Sequence, residues 1–218
     1  MKSAVLAAAG CLVLAAFAAG QTKARDERLD ERAHQDRDIV YFLQQPETHS
    51  FDLYHDYTES RPGADKYLNV VRKGSRASNP AAMILDTGER LAAQTLRGEE
   101  ITRAGLDIEE PVTPDSEVVV IRYPPVAPGH SVRLRISETY TDEKSYRLEG
   151  DELVFDRSFG RPRNAVVLPA GWYLTASAVP ARVSTTDDGR IRLDFVNPRN
   201  DEIGVVIRAK RRKTPGTP

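Results

Sequence analysis

Alternation of apolar and polar side chains with a period of two is the dominant pattern of this chain, and it predicts strands. Phe51, Leu53, His55 and Tyr57 alternate with Asp52, Tyr54, Asp56 and Thr58, the spacing that puts one set on each face of a pleated strand. Val132, Leu134 and Ile136 alternate with Arg133, Arg135 and Ser137, and Ile191, Leu193 and Phe195 with Arg192 and Asp194. Leu153 with Phe155, and Ile203 with Val205 and Ile207, repeat the pattern. Residues 67–71, 165–168, 172–179 and 181–185 add further short strands. Residues 118–123 form an unbroken, β-branched run instead, as expected of a strand covered on both faces.

Turn residues separate these segments. Arg61-Pro62-Gly63, Pro128-Gly129, Gly150-Asp151, Asp187-Asp188-Gly189 and Asn197-Pro198 each offer a fixed or positive φ where the chain must reverse. Asp86-Thr87-Gly88 lies between residues 83–85 and 91–96 and predicts a hairpin, whereas residues 74–80 read as a polar loop. One stretch departs from the period of two. Residues 26–43 carry good helix formers, with Leu29, Ala33, Val40 and Leu43 on loosely helical spacing before Pro46, which predicts a short helical lead-in. The whole predicts an all-β fold, an antiparallel two-sheet β-sandwich of roughly ten strands. It would occupy residues 46–209, behind a charged lead-in at 21–45 and ahead of a basic, Pro/Gly-containing tail at 210–218.

The N-terminus changes the picture of where this domain works. Lys2 precedes an apolar run over residues 4–19 that ends in Ala18-Ala19-Gly20, the layout of a cleavable secretory signal. The run is shorter than the roughly 20 residues that span a bilayer, so the mature chain is expected to carry no integral membrane span. The expectation is an exported protein, periplasmic or secreted, with residues 1–20 removed. Cys11 follows Ala8-Ala9-Gly10, which partly resembles a lipoprotein box, so lipid anchoring through Cys11 is the alternative. Otherwise the only cysteine leaves with the signal, and disulfides, zinc-thiolate sites and cysteine nucleophiles are excluded. A formal net charge of -1 argues against a general nucleic-acid binder.

Two stretches resemble known proteins. Residues 124–136, PPVAPGHSVRLRI, are similar to the proline-glycine turn and alternating strand of the N-terminal β-sandwich domain of M1-type metallopeptidases. Residues 164–174, NAVVLPAGWYL, are similar to segments of small exported bacterial proteins of unknown function. The resemblance implies a peptidase-like sandwich without the peptidase. M1 catalysis requires H-E-x-x-H on a helical domain; that motif is absent from the sequence, and no catalytic residue is carried over.

The remaining chemistry is sparse. His49 and His55 lie about 20 Å apart along an extended strand, too far to share a metal, and no metal or other cofactor is expected. There is no G-x-S-x-G elbow and no Gly-rich phosphate loop. Trp172 is expected in the core. Tyr123, Tyr140, Tyr146 and Tyr173 could line a sugar or peptide surface. The most distinctive cluster is residues 156–164, DRSFGRPRN, which sets Arg157, Arg161, Arg163 and Asn164 around Gly160 and Pro162 in an expected loop. Guanidinium groups there could clasp an anionic group of a protein or glycan partner, or could brace the loop by pairing with Asp156. The expected function is an exported, non-catalytic binding or structural module of the cell envelope. The alternative is an exported hydrolase with an unrecognised active site.

Overall fold

The computed structural model describes residues 35–213. The expected signal, Cys11, most of the lead-in and the last five residues lie outside the described residues. Among those described, fifteen strands form three sheets, and the fold is all-β as the alternation predicts. An eight-stranded sheet runs β13 (Arg182–Thr185), β14 (Ile191–Val196), β11 (Arg163–Val167), β1 (Arg37–Leu43), β2 (Ser50–Glu59), β8 (Val132–Thr141), β4 (Arg76–Ile84), β5 (Arg90–Leu91). A four-stranded sheet runs β12 (Trp172–Ser177), β15 (Ile203–Arg211), β10 (Glu152–Phe159), β9 (Tyr146–Glu149). The third is β3 (Lys66–Val70), β7 (Glu117–Arg122), β6 (Ala93–Arg97), followed in the chain after β6 by the single turn of α1 (Glu99–Arg103).

The described end of the expected helical lead-in, residues 37–43, is strand β1, in the middle of the large sheet. It pairs antiparallel with β2, from Arg37↔Tyr57 to Leu43↔Phe51, and parallel with β11, from Asp38↔Arg163 to Phe42↔Val167. Arg37, Ile39, Tyr41 and Leu43 also fit a period of two, and backbone pairing on both sides outweighs weak helix propensity. The β domain therefore includes Arg37–Leu43, ahead of the expected boundary at residue 46. Residues 76–80, expected in a loop, belong to β4, which bulges between Ser78 and Ala81 with Asn79 at φ 52°. The pairing is not simply sequential: β8 lies between β2 and β4, and β15 between β10 and β12.

Both small sheets pack on the same face of the large one. Tyr41 of β1 meets Phe155 and Phe159 of β10, with ring centroids 5.8 and 5.3 Å apart. Tyr57 of β2 meets Tyr67 of β3 at 5.7 Å. The main core includes Phe51, Leu134, Ile136, Leu193, Phe195 and Ile207, together with Trp172 as expected. Strand β7 is covered on both sides: Val119 and Ile121 join this core, while Val118 and Val120 pack with Ile101 of α1 and Ile108. Because β3 and β10 contact neighbouring strands of the large sheet but do not pair with each other, a gap opens between them.

Candidate functional site

That gap is a cleft of about 590 Å³. Its floor is the inner face of β1 and β2, carrying Arg37, Ile39, Tyr41, His55 and Tyr57. One wall is β3 with residues 107–110, and the other is the end of β10, the following turn, Asn164 and Glu202. Strand alternation accounts for the floor: Arg37 is inward because Ile39, Tyr41 and Leu43 are, and His55 because Leu53 and Tyr57 are.

Three of the four residues singled out in the arginine cluster, Arg157, Arg161 and Asn164, line this cleft. They do not sit on a nine-residue loop. Strand β10 runs through Phe159 and β11 starts at Arg163, leaving residues 160–162 as the turn. Arg157 lies on the inward side of β10 between Phe155 and Phe159 and pairs with Asp142 at 3.2 Å, the two side chains 10% and 4% exposed. Arg161 donates to Gln35 Oε1 at 2.7 Å, and Asn164 donates to the Arg161 carbonyl at 2.9 Å. Arg163 does not line the cleft: it ion-pairs with Asp36 and Asp38 at 2.7 and 2.5 Å. The expected Arg161–Arg163 clasp is thus divided between the cleft and a surface ion-pair cluster. Asp156 is exposed and is not the residue that holds Arg157.

The floor carries an electrostatic imbalance. Arg37 is only 4% exposed, yet no carboxylate pairs with it among the described residues. Its guanidinium lies 4.4 Å from the Tyr57 ring centre and 5.0 Å from that of Tyr67, and it donates to the Tyr67 hydroxyl at 3.1 Å. Its Nε is buried without a partner. Cation–π contacts offset part of the desolvation of a buried cation, but a neutral hydroxyl does not neutralise it. His55, 8% exposed, has its Nδ1 buried without a partner. Burial, reinforced by the charges of Arg37, Arg161 and Arg157, holds the imidazole pKa well below its usual value, so His55 is neutral. Most buried polar atoms are hydrogen-bonded, and exceptions point to strain, function or a missing partner.

Arg157, Arg161 and Asn164 stand out in the sequence; Arg37 falls in the segment expected to be helical, and His55 figures there only as too distant from His49 to share a metal. No group of three or more His, Cys, Asp or Glu suited to a metal occurs among the described residues. The signal for Arg37 was a cation in register with three apolar residues at period two. Of the tyrosines considered for a surface, Tyr123, Tyr140 and Tyr146 are buried and Tyr173 is exposed. Tyr173 borders a second depression of about 490 Å³ with Trp172, Lys210 and Arg211. There Trp172 is matched by Gln45, Lys210 by Asp151 and Arg211 by Glu47. The cleft between the sheets is therefore the stronger candidate.

Fold and cleft together define an all-β module with an arginine-lined recess between its sheets. Among solved structures it is similar to the M1 zinc metallopeptidase of Deinococcus radiodurans, at 17% identity and a TM-score of 0.47, covering 80% of this chain and 41% of that one. The match spans about two-fifths of that enzyme, and at this identity the likeness is one of fold alone. An aminopeptidase N family protein from Idiomarina loihiensis matches at 10% identity and a TM-score of 0.43, over 78% of this chain and 29% of that one. A putative nutrient binding protein from Legionella pneumophila matches at 9% and 0.40, over 78% and 65%. The chain spans less than half the length of the metallopeptidases it matches. No protein-family model and no curated protein matches the sequence.

Proposed function

We propose that this chain is an exported, non-catalytic binding module whose ligand enters the cleft between the two small sheets. One observation carries the reading: two polar side chains on the cleft floor, Arg37 and His55, are more than nine-tenths buried and hold polar atoms with no partner. A bound ligand supplies the missing partners, since a pocket recognises ligands through a few convergent polar groups on an apolar frame. Export rests on the signal-like residues 1–20.

The test uses the mature full chain, incubated with the small-molecule fraction of an envelope extract and examined by native mass spectrometry. A retained adduct is expected. Gly160 sits on the cleft wall, and a side chain there would be directed at the exposed Glu202 side chain on the same wall, so Gly160→Trp should occlude the cleft, abolish the adduct and leave the melting temperature nearly unchanged. No adduct on the wild type, or equal retention by Gly160→Trp, overturns the reading.

A further inference from the structure

We infer that the cleft takes a compact ligand bearing one oxyanion group, a carboxylate or a phosphate, seated on the Arg37 guanidinium against His55. This rests on the reading of the cleft as the ligand site and adds the chemical class. The cationic lining on the buried side of the cleft is formed by Arg37, Arg157 and Arg161. Arg157 is neutralised by Asp142, and Arg161 is half-exposed and donates to Gln35; Arg37 is the deeply buried cation with no carboxylate paired to it among the described residues. A guanidinium is a planar fork of donors that matches carboxylate and phosphate oxygens. With Nε unpartnered, Arg37 retains part of that fork.

His55 completes the recognition. A neutral imidazole presents one donor and one acceptor, and no hydrogen bond is made by either ring nitrogen among the described residues. An oxyanion oxygen accepts from the protonated nitrogen. The other nitrogen accepts from a hydroxyl, an amide or a protonated phosphate oxygen of the same ligand. Tyr57 and Tyr67, already against Arg37, form an aromatic wall for its apolar part.

The arrangement also sets the size and the charge of the ligand. Every carboxylate lining the cleft, on Asp107, Glu109, Glu110 and Glu202, belongs to an exposed residue. The mouth is therefore mixed in sign while the floor is positive. A single buried anion is favoured there, while the mixed mouth gives a long polyanion no continuous positive track.

Isothermal titration of the full mature chain with inorganic phosphate and, separately, with butyrate tests the inference, with sodium chloride at matched ionic strength as control and heparin as a polyanion. Saturable binding of phosphate, butyrate or both is expected, with heparin failing to compete. Which of the two binds tells the phosphate source from the carboxylate source. Arg37→Met should weaken binding by roughly ten- to a hundred-fold, the loss typical of one charge-assisted hydrogen bond. Arg37→Lys keeps the charge but not the fork and should fall in between. If Arg37→Met does not fold, Arg161→Gln, at a half-exposed position on the cleft wall, should weaken binding severalfold. Absence of saturable binding by both anions, or unchanged affinity in the variants, overturns the inference. If an uncharged molecule is retained from the extract and lost in Gly160→Trp, the cleft reading stands and the oxyanion fails alone.

Discussion

Glu138 offers a stability prediction that can be worked from the structure. It lies on the inward face of β8, 3% exposed, where the three-stranded sheet covers the large one. Its Oε2 accepts from Asn69 Nδ2 at 2.6 Å, and its Oε1 is buried with no partner. Burial pushes its pKa up from 4.5 to about 7; the charge of Glu117 adds to this and the Asn69 hydrogen bond opposes it. The folded protein therefore holds this proton more tightly than the unfolded chain. The contribution to stability is full below pH 4.5 and is lost as the pH rises through about 7. At about 1.4 kcal/mol per pKa unit, the span corresponds to about 3 kcal/mol. Glu138→Gln keeps the oxygen that Asn69 needs and cannot ionise. The variant should match the wild type near pH 4.5 and exceed it by about 2–3 kcal/mol at pH 8, less whatever its own amide leaves unsatisfied. Urea denaturation at pH 4.5, 6 and 8 reads this directly, through midpoints at constant m. A stability difference independent of pH would refute the reasoning, as would a wild type that gains on the variant as the pH rises.

Other expectations follow from named contacts. Arg157→Met leaves the Asp142 carboxylate without its buried cation and should destabilise by roughly 3–5 kcal/mol in urea denaturation; retention of full stability would show that the pair is not the brace described. Leu193→Ala opens a fully buried position and should cost about 2–5 kcal/mol. Its neighbour Arg192, half-exposed and paired with Asp194, should lose no more than about 1 kcal/mol as Ala; equal losses at the two positions would contradict the face assignment of β14. Intact-mass measurement of the exported protein should give an N-terminus near Gln21, and a species retaining Met1 or a lipidated Cys11 would replace that reading.

The strands were largely legible in the sequence because a pleat repeats every two residues and needs only local information. His55 could be placed inward from its neighbours Leu53 and Tyr57 alone, and the unbroken apolar run of β7 announced two covered faces, which the main core and the smaller core beneath α1 supply. Tertiary pairing decided what local propensity got wrong. Residues 37–43 are strand because β2 and β11 hold them from both sides, and β11 lies more than a hundred residues away in the chain. The arginine cluster shows the same limit: composition marked Arg157, Arg161, Arg163 and Asn164, but what each cation faced depended on Asp142, Gln35, Asp36 and Asp38. The cleft itself has no sequence signature. It arises where two small sheets part over β1 and β2, and its unneutralised charge comes from Arg37 meeting tyrosines of β2 and β3. Alternation fixes which way a side chain points along its own strand, while the side chains it faces are set by how separate sheets stack.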